Sequence, residues 1–292
     1  MPATNQALVK RESSLPYGLK IGQILMAQGK INEDQVREIL KTQAERSCSF
    51  GEAAIYLGFL TQLDIDTAIS QQFNYAILSP EAGSYSAELH VATNPFGQEA
   101  ESFRALRSQL MLESLEKGRR AITIVGPNAG SGCTYTAANL AIAFAQLGLK
   151  TCLIDANLRN PRIAKLFSIS REHEGLSEIL IGGRTYDEVL VGDTFPNLSI
   201  ITSGRVPPNP QELLGRHELI WTLSHVLRDF DTVLFDTPAM NHCADARTVA
   251  ARVGSALLVA RRHQTLANDA RVAVEELRSN GVHLIGTVLN TY

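Results

Sequence analysis

The sequence predicts an α/β protein, with a mostly parallel, doubly wound sheet preceded by a small all-helical region. Three observations predict it. Short apolar runs alternate with helical patterns from residue 121 onward, the order that buries a parallel sheet between helices on both faces. The first of these runs, AITIV at 121–125, enters a turn rich in Gly, Pro, Asn and Ser, and an apolar helical pattern at 137–147 follows directly. Ahead of the alternation, one helical pattern occurs twice at a fixed offset between residues 20 and 72. At 292 residues, with 45% hydrophobic content and a formal charge of −3, the chain can bury a large core plus a small accessory domain, and nothing suggests nucleic-acid binding.

In chain order, residues 1–17 are polar and are expected to be a flexible N-terminus. The repeat then places Lys20-Ile21-Gly22, Leu25, Ile31, Val36, Leu40 and Gln43 over Ser49-Phe50-Gly51, Ala54, Leu60, Ile65, Ile69 and Gln72, an offset of 29 residues. Each copy reads as a short helix, a turn at Gly29 or Gly58, and a second helix capped by Asn32 or Thr61. Two copies can bury each other's apolar faces in a domain at 18–78. The pattern resembles the N-terminal domain of type II secretion and pilus ATPases, whose doubled R-L-G-x-x-L motif binds cyclic di-GMP in some members. That resemblance implies a ligand site at Lys20, Gly22 and Gly51. Lys20 and Ser49 stand where the family has arginine, however, and neither stacks and forks on guanine as arginine does. A docking role is the alternative expectation.

Residues 79–97 are rich in small residues, Pro and Gly and read as a linker, with a second domain at 98–292. A helix is expected over 98–116, with Glu101, Arg104 and Arg107 on one face at i, i+3 and i+6. Against the phosphate-loop pattern G-x-x-x-x-G-K-[ST], Gly132 and Thr134 fit, Pro127 replaces the first glycine and Cys133 replaces the lysine. Such loops let backbone N–H groups, here of Gly130, Ser131, Gly132, Cys133, Thr134 and Tyr135, converge on an anion at a helix start. An ordinary strand-to-helix turn is the alternative. The later strands TCLIDA, NLSIIT, DTVLFDT, SALLVAR and LIGTVLN alternate with helical patterns at 211–229, 244–251 and 267–279. Asp155 and Asp236 fall at strand ends beside the loop, where Mg²⁺ coordination needs carboxylates.

These motifs resemble the cytoplasmic domain of bacterial tyrosine kinases, relatives of MinD-type ATPases that act with polysaccharide co-polymerases. The resemblance is carried by ESFRALR at 101–107, the phosphate loop, LIDANLRNP at 153–161, GLSEIL at 175–180, PPNPQELL at 207–214, FDTP at 235–238 and the closing GTVLN. It implies ATP or ADP in the loop, Mg²⁺ on Thr134, Asp155 and Asp236, and an oligomer built through Glu101, Arg104 and Arg107. It also implies a membrane polysaccharide co-polymerase or an active tyrosine kinase as partner. Three departures lead us to expect impaired catalysis: Cys133 for lysine, Asn157 for the second aspartate of D-A-D-L-R, and a close at Tyr292 without a tyrosine cluster. An active autokinase is the alternative. A MinD-like membrane ATPase would need a lysine at Asn128, and a GTPase an N-K-x-D segment; neither is present. Cys48, Cys133, Cys152 and Cys243 form no C-x-x-C pair, and there is no apolar leader or apolar run of about 18 residues. A cytoplasmic protein, reaching a membrane only through a partner, is expected.

Overall fold

The computed structural model describes residues 20–72 and 85–291, which divide into a helical unit (20–72 with 94–96) and a sheet unit (85–93 with 97–291). The expected N-terminal tail at 1–17, the start of the expected linker at 79–84 and Tyr292 lie outside the described residues.

The helical unit holds α1 (Ile21–Ala27), α2 (Glu33–Arg46), α3 (Phe50–Tyr56) and α4 (Gln62–Gln72). The repeat is visible in its capping. Asn32 and Gln35 bond reciprocally at the start of α2, and Thr61 and Asp64, one repeat later, do the same at α4. Ser49 and Glu52 cap α3 in the same way. Gly29 and Gly58 turn the chain at φ 70° and 71°, a conformation that costs glycine little. α1 packs on α4 and α2 on α3, burying Ile24, Leu25, Ile39, Ala53, Ala54 and Ile65 in one cluster.

The sheet unit runs α5 (His90–Thr93), α6 (Gln98–Leu110), β1 (Ala121–Val125), α7 (Cys133–Gln146), β2 (Thr151–Asp155), α8 (Ile163–Leu166), α9 (Leu176–Ile181), α10 (Tyr186–Val189), β3 (Val191–Phe195), β4 (Leu198–Ile201), α11 (Pro210–Leu214), α12 (His217–Asp229), β5 (Thr232–Asp236), α13 (Asp245–Val253), β6 (Ser255–Arg261), α14 (Ala267–Ser279) and β7 (His283–Asn290). The strands order as β3-β4-β2-β5-β1-β6-β7, parallel except for β3, which pairs antiparallel with β4 at one edge. β1, β2 and β5 are buried along their whole length, as a sheet covered on both faces requires. α7 is buried from Thr136 to Ala145 and packs against β1, β2 and β5.

Several elements differ from expectation for local reasons. The pattern at 211–229 is two helices, because Pro210 opens α11 and Gly215 closes it before α12 begins. The helix expected over 98–116 ends at Leu110 and continues as a π-helical turn, Met111–Leu115. Residues 85–93, inside the expected linker, are packed: Leu89, Val91 and Ala92 are fully buried. Val91 N donates to Asn139 Oδ1 (3.0 Å), Gln146 Nε2 donates to Val91 O (3.0 Å) and the Tyr85 hydroxyl donates to Thr194 O (2.9 Å). The small-residue composition of the stretch hid three apolar anchors, Leu89 just before α5 and Val91 and Ala92 within it.

Candidate functional site

β1 feeds the loop at 126–132, and α7 starts at Cys133 with its free N–H groups facing the loop. Gly130 and Gly132 take φ of 79° and 99°, which folds the loop over the helix end. Gly126 has no room for a side chain: a Cβ there would lie 2.6 Å from Cys133 Sγ and 2.9 Å from Ser131 Cβ. The Cys133 side chain therefore turns back under the loop instead of reaching out over it. Burial, and then the Asp236 carboxylate, raise its thiol pKa far above the ordinary range, so the group is neutral.

Asp155 and Asp236 end neighbouring strands in register and are fully buried. Thr134 Oγ1 donates to Asp236 Oδ2 at 2.7 Å, while Asp236 Oδ1 has no hydrogen-bond partner among the described residues. Asp155 receives the N–H of Asn157 on Oδ1 and of Ile163 on Oδ2, both at 3.1 Å, which holds the loop after β2. Burial raises the Asp155 carboxyl to about 7. Burial and the neighbouring Asp155 raise Asp236 as well, against the pull of Thr134 and the Arg162 charge. Two buried carboxylates, one of them with an unpartnered oxygen, and an adjacent hydroxyl form an all-oxygen donor set that fits Mg²⁺.

The loop opens on a cleft of about 680 Å³ that Asn157, His242, Asn290 and three arginines also line. Arg159 forks onto the fully buried Asp245, with Nε to Oδ2 at 2.8 Å and Nη2 to Oδ1 at 3.1 Å. Arg162 donates through Nη2 alone to both Glu88 oxygens, Oε1 at 2.8 Å and Oε2 at 3.0 Å. Arg261 Nη1 donates to Gly130 O at 3.3 Å. Sequence reasoning missed these arginines, Glu88 and Asp245. Arg159 lies in the quoted stretch and Arg162 directly follows it, and both could have been noticed, but their partners lie 86 and 74 positions away.

Of the expected site residues, Gly130 to Tyr135, Asp155, Asn157 and Asp236 come together. Tyr135 stacks edge-on with Phe103 (5.6 Å) and His90 (5.9 Å). On α6, Arg104 Nε donates to Glu101 Oε2 at 2.7 Å, while Arg107 Nη1 donates to Ala143 O (2.8 Å) within the sheet unit. Lys20 precedes α1 in the helical unit. There a Cβ on Gly22 would meet the Phe50 ring at 3.3 Å and one on Gly51 would meet Ile65 Cγ2 at 3.1 Å, so packing accounts for both glycines.

The parallel sheet, the loop at a helix start and the paired strand-end carboxylates define a P-loop protein of the nucleotide-binding type, and residues 119–269 match the AAA domain family. The chain belongs to the bacterial tyrosine-protein kinase family. It is 36% identical over 197 residues to tyrosine-protein kinase Etk of Escherichia coli K12, a match covering 68% of this chain and 27% of that protein. It is 30% identical over 202 residues to the putative tyrosine-protein kinase CapB of Staphylococcus aureus, covering 69% and 88%. The kinase domain of Escherichia coli ETK superposes with a TM-score of 0.67 at 36% identity, over 71% of this chain and 80% of that one. MinD of Pyrococcus horikoshii, complexed with Mg-ADP, shares the fold at a TM-score of 0.53 and 23% identity, covering 59% of this chain and 70% of that one.

Proposed function

We propose that the sheet unit binds ATP or ADP with Mg²⁺ but transfers phosphate slowly, and that the protein is a regulatory or assembly component of exopolysaccharide biosynthesis. The observation that carries this reading is Cys133, a neutral thiol folded under the loop where phosphate loops place an ammonium group. Backbone N–H groups from Gly130 to Tyr135 would hold the phosphates, and Thr134, Asp155 and Asp236 would hold the metal. The bound ion would supply charge neutralisation on the phosphate oxygens. Binding tolerates the loss of the lysine better than chemistry does, because its hydrogen bonds of about 1.5 to 3 kcal/mol count most where negative charge develops. Asn157 lines the cleft but cannot act as a base. The intact Thr134 and carboxylate pair favour a second reading, an active autokinase.

Glu101 and Arg104 present a charge pair suited to a neighbouring copy, a membrane polysaccharide co-polymerase or an active kinase. The helical unit serves as a docking module, a role favoured over cyclic di-GMP binding by the packing that occupies Gly22 and Gly51. The testing variant is Cys133→Lys. Calorimetry with Mg-ADP should show about tenfold tighter binding, while phosphotyrosine formation recovers less because Asn157 remains. Equal recovery of both would argue against a role for Asn157, and a wild-type chain that already autophosphorylates rapidly would favour the second reading.

A further inference from the structure

The three cleft arginines differ in their freedom to move. Arg159 is committed, since withdrawing it would leave the fully buried Asp245 carboxylate uncompensated. Arg261 donates to the phosphate loop's own carbonyl at Gly130. Arg162 is different: it and Glu88 are 46% and 45% exposed at their side chains, the kind of wet ion pair that contributes little and exchanges readily.

Glu88 is fixed at its backbone, while its carboxylate is half-exposed and bonded to Arg162. Its carbonyl accepts from Asn139 Nδ2 at 2.9 Å, and Asn139, fully buried on α7, also receives the N–H of Val91. Leu89 beside it is fully buried. Both partners of the ion pair line the cleft. Asp155 and Asp236 lie buried behind the cleft's Thr134 and Thr237, and Cys133 stands in the lining where a phosphate loop carries its lysine. A polyphosphate anion entering the cleft needs a cation that can turn to meet it, and a guanidinium held to a carboxylate through one nitrogen can turn to fork onto a phosphate with two.

We propose that Arg162 is the exchangeable phosphate-binding cation of this cleft and that the Glu88 carboxylate is its placeholder, given up when a phosphate chain enters. The proposal rests on the reading that the cleft takes a nucleotide. It assigns to a residue after β2 part of the charge that the phosphate loop lacks, and it makes Glu88 a tuning residue that weakens binding by competing for Arg162.

The test is calorimetry of the full chain with Mg-ADP and with Mg-pyrophosphate, for wild type, Arg162→Ala, Arg162→Lys and Glu88→Gln, with thermal melts confirming that each variant is folded. Arg162→Ala should weaken both ligands about tenfold and Arg162→Lys less, since lysine keeps the charge without the fork. Glu88→Gln should bind both roughly two- to fivefold tighter, because its competing charge is gone. Weakening by Glu88→Gln to match Arg162→Ala would show a structural brace and overturn the proposal, as would unchanged affinity in folded Arg162→Ala. Absence of binding by the wild type would overturn the nucleotide reading itself, before any variant is compared.

Discussion

Asp155 and Asp236 set the pH behaviour of the site. Both carboxyls are raised in the folded protein, Asp155 to about 7, chiefly by burial. Relative to an unfolded value near 4, the Asp155 contribution to stability is full at low pH and is lost as pH rises through about 7, and Asp236 shifts stability in the same direction. The metal-free protein should therefore lose melting temperature between about pH 5 and pH 8, and Mg²⁺ should restore more of it at pH 8 than at pH 6. Melts of wild type and Asp236→Asn with and without Mg²⁺ check this. A magnesium effect that is the same at both pH values, or that survives in Asp236→Asn, would contradict it. This part of the site was legible in sequence because each aspartate follows an apolar strand and Thr134 follows the loop directly. Glu88 and Asp245 were not legible, because their arginine partners are 74 and 86 positions away and chain folding alone brings them together.

At the scale of elements, the alternation of apolar runs and helices disclosed the parallel strands because each is a contiguous local signal. The antiparallel edge strand β3 escaped notice, since VGDTF carries neither a long apolar run nor clear alternation. The repeat was legible through capping residues as much as through apolar spacing, and it makes its own prediction. Asp64 at the start of α4 is pushed up by burial, but hydrogen bonds from Thr61 and Lys30 and the Lys30 charge outweigh this and hold it at about 2. A carboxyl lowered in the folded state stabilises above its unfolded value and ceases to do so as pH falls through the folded one. Screened by solvent, Asp64 should thus contribute about 1 kcal/mol at neutral pH, lost between about pH 4 and pH 2. Acid unfolding of Asp64→Asn should show a weaker helical unit at pH 7 and a shallower decline over that window. Acid curves parallel to wild type would show that the Lys30 pair and the cap contribute nothing measurable.

At the scale of the molecule, the chain is a member of the tyrosine-kinase family with Cys133 following Gly132 in the loop at the start of α7, two buried strand-end carboxylates, and Glu101 and Arg104 paired on α6. Assembly is tested on α6 without disturbing the internal bond from Arg107 to Ala143. Light scattering of a Glu101→Ala, Arg104→Ala double variant should give a lower mass than wild type, because truncating desolvated charge pairs across an interface costs about 2 to 5 kcal/mol. Identical masses would leave this helix face as plain solvated surface. The central claim, nucleotide binding without rapid phosphoryl transfer, is tested most directly by injecting Mg-ATP into the wild-type chain in a calorimeter. Binding gives heat that saturates and returns to baseline after each injection, whereas turnover gives sustained heat flow. The account predicts saturable heat with a flat baseline; sustained heat flow that disappears in Asp236→Ala, or no heat at all, would contradict it.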